Sequence, residues 1–209
     1  GIHTVKLKTI KPFDIGGEMQ HPEVVIMNSY DGSSPLKIYC GIFRICCSNG
    51  LVIKTKDFGE AKIRHMRTEE DIVMEIATGF AKNASKAINL QQQLVETTLN
   101  PIQITNFAKA AAKLRWENIS EDCDFEDLVK VERAEDEGND VWKVYNRIQE
   151  KIMKGGIKLE GMKRTAKPIE NAAKDIWLNE ELFSLAMSFL PPEEVLDVNV
   201  GQEHFELVN

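Results

Sequence analysis

Residues 23–56 read EVVIMNSYDGSSPLKIYCGIFRICCSNGLVIKTK, and strand, turn and cationic chemistry coincide there. The apolar runs Ile38–Cys47 and Leu51–Thr55 flank Ser48-Asn49-Gly50. Asn-Gly between such runs is a strong hairpin signal, because both residues tolerate the positive φ of a type I′ turn. A third run, Val24–Tyr30, ends in Asp31-Gly32-Ser33-Ser34-Pro35, residues that set turns and end strands. Arg44 interrupts the second run. A charge there must reach solvent, pair with a carboxylate such as Asp31 or Glu60, or meet an anion, of which phosphate is the usual one.

Working outward, His3–Ile10 alternates Val5 and Leu7 with Thr4, Lys6 and Lys8, the period-two pattern of a half-buried strand. Ala61–Arg67 reads as a short fifth strand or as the lead into a helix. Thr68-Glu69-Glu70-Asp71 is an N-terminal capping signal, and Ile72, Ile76, Phe80, Ala84 and Ile88 then recur at helical spacing. The pattern predicts a long helix to about Leu99, stopped by Asn100-Pro101. An Ala-rich helix follows over Thr105–Trp116, and a short one over Asp124–Val131. The expected fold class is α+β: an antiparallel β-meander of three to five strands packed by a long helix, followed by a helical C-terminal half. The expected division is a sheet-plus-helix core at 1–116 and a helical region at 117–209, whose acidic tail covers 193–209.

Val141, Tyr145, Ile148 and Ile152 form an apolar helical stripe that closes at Gly155-Gly156. Trp142, Asn146 and Gln149 share the neighbouring face. They read first as core packing with buried polar groups satisfying backbone, since large aromatics are on average highly buried. After the diglycine, residues 157–168 (IKLEGMKRTAKP) carry Lys158, Lys163, Arg164 and Lys167 against one acid. A solvated loop is the common explanation for such a run, and a flexible basic loop tracking a phosphate backbone is the functional one. The final helix is expected over Glu170–Leu190, ended by Pro191-Pro192.

Several blocks together resemble the phage and plasmid-like family called DUF932 or UPF0380: Asn28–Gly32, Gly41–Leu51 (GIFRICCSNGL), Arg64-His65, Arg133–Trp142 (RAEDEGNDVW), Tyr145-Asn146, Gln149-Glu150 and Gly155-Gly156. The resemblance runs from about His3 to about Leu190. It implies a mobile-element origin and roles in DNA handling, recombination or counter-defence, without naming an activity. The start at Gly1-Ile2-His3, without Met, suggests a trimmed N-terminal segment.

Composition narrows the classes further. The chain has 209 residues, 43% apolar and 28% charged, an ordinary globular composition. No stretch approaches the roughly 18 consecutive apolar residues of a membrane span, and no leader pattern is visible, so a cytoplasmic protein without a membrane partner is expected. The four cysteines form no metal or redox spacing, and the four histidines none either. No cofactor or metal is expected. The net charge of −7 is uneven, because residues 1–67 hold 10 basic against 6 acidic groups and the rest 16 against 27. A basic sheet half beside an acidic helical half hints at a polyanion-binding face.

No catalytic motif occurs. The acids Glu135, Asp136, Glu137 and Asp140 could hold Mg²⁺ with His65 as a base, or could equally cap the following helix. A binding protein rather than an enzyme is therefore expected. The strand-strand-strand-helix pattern resembles the core of single-strand annealing proteins, which implies oligomers acting on single-stranded DNA. Candidate nucleic-acid contacts are Lys6, Lys8, Arg44, Lys54, Lys56, Arg64, Arg67, Lys158, Lys163, Arg164 and Lys167, with Tyr39 or Phe43 as stacking surfaces. The competing class is a counter-defence protein whose acidic helical surface mimics DNA and occupies a host nuclease or restriction enzyme.

Overall fold

A computed structural model describes residues 2–8, 13–15, 18–29, 37–44, 50–52 and 88–191. Five strands pair antiparallel: β1 (Ile2–Lys8), β2 (Phe13–Ile15), β3 (Glu18–Ser29), β4 (Lys37–Arg44) and β5 (Gly50–Val52). The order is β1-β3-β4-β5, with β2 also pairing β3, so β1 and β2 lie along successive lengths of the 12-residue β3. The register runs Lys8 opposite Glu23, Phe13 opposite Gln20, Arg44 opposite Gln20 and Phe43 opposite Gly50.

Four helices follow the described end of α1, which is helical over residues 88–96. They are α2 (Pro101–Arg115), α3 (Glu126–Val129), α4 (Val141–Lys154) and α5 (Ala172–Met187), with a 3-10 turn over Ala134–Asp136. Local chemistry sets their starts. Asn100 Oδ1 accepts from the Gln103 N–H at 3.0 Å while Gln103 Oε1 accepts from the Asn100 N–H at 2.9 Å, a reciprocal cap, and Pro101 sits where a helix has no use for its missing N–H. Asp140 and Asn171 cap α4 and α5 in the same way, each accepting at 2.9 Å from the N–H three residues on. Asn100-Pro101 thus begins a helix as well as ending the reach of α1, and α2 starts four residues before its expected Thr105.

The core is helix on helix. α2 presents Phe107, Ala108, Ala111 and Ala112, whose small side chains admit close approach, and α2 packs on α4 and α5. α4 buries Val141, Val144, Tyr145, Ile148 and Ile152. α5 brings Leu178, Leu182, Phe183 and Ala186. Tyr145 stacks on Trp142 at 5.7 Å and meets the edge of Phe183 at 6.2 Å. The exit of α1 is stitched to the start of α4, with the Leu99 N–H donating to Asn139 O at 2.7 Å and the Val141 N–H to Thr97 O at 2.8 Å. α5 also runs beside β5, which joins the helical unit to the sheet.

These observations correct the expected fold class. Among the described residues, no antiparallel meander packed by a long helix forms the core. Over the residues whose side-chain environment is described, 57% are helical and 4% extended. The buried side chains there all lie between Leu90 and Ala186, and they pack helix against helix. The helix expected over 68–99 is described only from residue 88. Strand and turn motifs stand out residue by residue, whereas the described burial is spread over five helices whose apolar faces meet only in the folded chain, which is why the strand-rich stretch drew attention first.

Candidate nucleic-acid interface

The segment from Ile157 to Lys167 has no regular secondary structure, yet its backbone is pinned. The Gly156 N–H donates to Ala166 O at 2.9 Å and the Ala166 N–H to Ile157 O at 2.8 Å, so the ends of the loop are closed on each other. Past the loop, the Ile169 N–H donates to Met153 O at 2.9 Å. Arg115, at the end of α2, donates through Nη1 to the carbonyl of Ile152 and through Nη2 to that of Lys167. Burial pulls the Arg115 pKa below its ordinary value, and its Cζ lies 5.0 Å from the centroid of the Trp116 ring. Cys123, a buried thiol, reaches Glu160 O at 3.6 Å, and burial raises its pKa.

Glycine is required where the loop begins. Gly155 has φ +71°, and a Cβ there would stand 2.4 Å from Ala166 O. Ile157 and Leu159 are buried, and Met162, Ala166 and Ile169 are half-buried against the core. Lys158, Lys163, Arg164 and Lys167 are exposed. No ion pair to any of these four is formed among the described residues. The expected flexible loop is therefore a fixed one, with its apolar side down and its cations outward.

The sheet candidates are divided. Lys6 and Lys8 stand opposite Val25 and Glu23, and Val25 in turn stands opposite Tyr39, whereas Arg44 stands opposite Gln20. The register places these candidates on the paired strands β1 and β4, on either side of β3. Lys54, Lys56, Arg64 and Arg67, like His65, lie outside the described residues.

In the other charged block, Arg133 to Glu150, several charges turn inward while Glu135 and Glu137 stay exposed. Asp136 is buried, with Arg133 Nη1 at 4.0 Å, and Arg147 donates to Gly138 O at 2.9 Å. Burial lowers the Arg147 pKa, and the charges of Asp136 and Asp140 oppose that shift. Glu150 pairs with Arg133 and, at 2.9 Å, with Lys154. Burial would raise its pKa, but the two cations hold it below the usual carboxylate range. Trp142 is core, Asn146 Nδ2 donates to Trp142 O at 2.7 Å, and Gln149 Nε2 donates to Asn179 Oδ1 at 2.5 Å. Asp140 acts as a cap, and among the described residues no group of His, Cys, Asp and Glu side chains is arranged to hold a metal ion.

Sequence reasoning missed Arg115, whose acceptors lie 37 and 52 residues away. It also missed Trp177, which is 45% exposed on α5. Among the described residues no helix is long and apolar enough to cross a membrane.

Comparison with known proteins follows the same blocks. The family described as "Domain of unknown function (DUF932)" matches residues 3–182. The UPF0380 protein YfjQ of Escherichia coli (strain K12) is 29% identical over 177 residues, covering 82% of this chain and 63% of the relative. The UPF0380 protein YafZ of the same strain is 30% identical over 181 residues, with the same coverage of 82% and 63%. The chain thus spans just under two thirds of the length of these relatives. No solved structure matches it.

Proposed function

We propose, for a chain that belongs to the DUF932 family, that it is a nucleic-acid-binding protein of recombination or annealing, with single-stranded DNA as its favoured ligand and no catalytic step of its own. One observation carries this reading: four outward cations, Lys158, Lys163, Arg164 and Lys167, ride on a pinned backbone with no carboxylate of the chain paired to them among the described residues. A preorganised cationic loop loses little entropy when it meets phosphates, and each neutralised phosphate releases counterions. Lys6, Lys8 and Arg44, with Tyr39 and Phe43, are carried on the paired strands β1 and β4 and would extend that contact.

Binding of oligo(dT) and of duplex, followed by fluorescence anisotropy over a salt series, tests the proposal. Four phosphate contacts on a single strand give log K against log salt a slope of about −3. The Lys163→Glu/Arg164→Glu double variant is expected to reduce that slope to about −1 and to weaken binding at least ten-fold, with its melting temperature unchanged. Absence of any low-salt binding by the wild-type chain would remove the proposal. Self-assembly, as in annealing proteins, would appear as a multimer in light scattering.

A second reading has its own observation. Exposed carboxylates recur through Glu117, Glu121, Asp122, Asp124, Glu126, Asp127, Glu132, Glu135 and Glu137, giving the helical unit an acidic stretch. Such a surface suits a counter-defence protein that occupies the DNA site of a host nuclease. Capture of host proteins that survives nuclease treatment, with no oligonucleotide binding, would favour it over the first.

A further inference from the structure

Trp177 stands 45% exposed between two buried residues of α5, Ile176 and Leu178. Large aromatic rings are on average highly buried, so an indole left out on a packed helix calls for a partner. Lys174, one turn earlier on the same face, is exposed as well. Glu180 and Glu181, one turn later, are already engaged within the chain. The helix begins directly after the cationic loop: Lys167 is followed by Ile169, tied to Met153, and by the cap at Asn171. An extended path from Lys167 to Asn171 followed by helix to Trp177 spans at most about 23 Å. That reach lies within the footprint of a short single strand, for which sites of roughly 4–16 nucleotides are usual.

We propose that Trp177 is the stacking platform for an unpaired base, while the phosphates of the same strand lie along Lys163, Arg164 and Lys167. The inference rests on the loop reading and deepens it, because a base must be out of a duplex to stack on a side chain, so Trp177 sets the preference for single strands. Duplex DNA offers the loop its phosphates but offers Trp177 no open base.

Fluorescence separates this residue from the other two tryptophans. Trp142 is buried and Trp116 lies under Arg115, so quenching by added oligo(dT) would report on Trp177. The full chain is titrated with oligo(dT) and with a duplex of the same length, as wild type, Trp177→Phe, Trp177→Ala and the Lys163→Glu/Arg164→Glu loop variant. The expected result is quenching in the wild type, loss of most of it in Trp177→Phe with affinity kept within a few-fold, and a roughly five- to hundred-fold loss for oligo(dT) in Trp177→Ala. Duplex affinity stays unchanged in both Trp177 variants. If Trp177→Ala binds oligo(dT) as the wild type does while the loop variant fails, the stacking role falls and the loop reading stands. Equal losses for single strand and duplex in Trp177→Ala also overturn it, with Trp177→Phe deciding if the alanine variant melts early. Should the wild type bind neither probe, both readings fall together.

Discussion

Two charged stretches, residues 133–154 and 157–167, are separated by one diglycine and have opposite fates. Apart from the exposed Glu135 and Glu137, the first spends its charges largely on the protein itself: Arg133 and Lys154 on Glu150, Arg147 on Gly138 and Asp136, Asp140 on the start of α4. The second keeps its charges outward and spends its backbone and apolar side chains on the fold. Charge count alone therefore does not mark a binding surface. What distinguishes the second stretch is that its cations lack partners among the described residues while the backbone below them is held in place.

The most forceful way to break this contrast is to unseat the loop without touching its charge. Gly155→Ala forces a Cβ against the Ala166 carbonyl at a positive φ, and a loss of about 2–4 kcal/mol in urea unfolding is expected. Oligonucleotide affinity should fall with it, although every cation remains. A smaller effect is expected inside the first stretch. Glu150→Gln removes the negative charge shared by Arg133 and Lys154 in a half-buried setting, at a cost of about 1–3 kcal/mol, and leaves binding unaltered.

The smallest effect sharpens the contrast at the exposed extreme. Glu121 is held down to about 2, first by hydrogen bonds from Lys113 at 2.5 Å and Lys109 at 3.0 Å, then by their charges. A carboxyl depressed on folding contributes its full stabilisation above its unfolded value of 4.5 and loses it as pH falls from there toward 2. Melting of wild type and Glu121→Gln should therefore differ slightly at neutral pH and converge near pH 2. Because these groups are exposed, added salt should close the gap as well.

Parts of this arrangement are written locally. The spacing of Val141, Tyr145, Ile148 and Ile152, followed by Gly155, is α4 with its positive-φ stop. Asn100-Pro101 carried a start signal through Gln103 that reads equally well as a stop, since caps and breakers use the same residues. The loop carried a signal too: Ile157 and Leu159 alternate with Lys158 and Glu160, and that alternation matches the buried and exposed sides. A tally of charge conceals it. Trp177 could not have been picked out, because Ile176-Trp177-Leu178 spans more of a helix circumference than α5 buries, and only tertiary packing decides which of the three faces out. The weight given to the sheet failed for a similar reason, since the helices that form the core bury their stripes against partners distant in sequence.

α5 begins where the loop ends and lies along β5. A tug on the loop would pass through this helix to the strand it touches, so occupancy of the loop should be audible there. Slowed amide exchange in β5 upon oligonucleotide addition would be the echo.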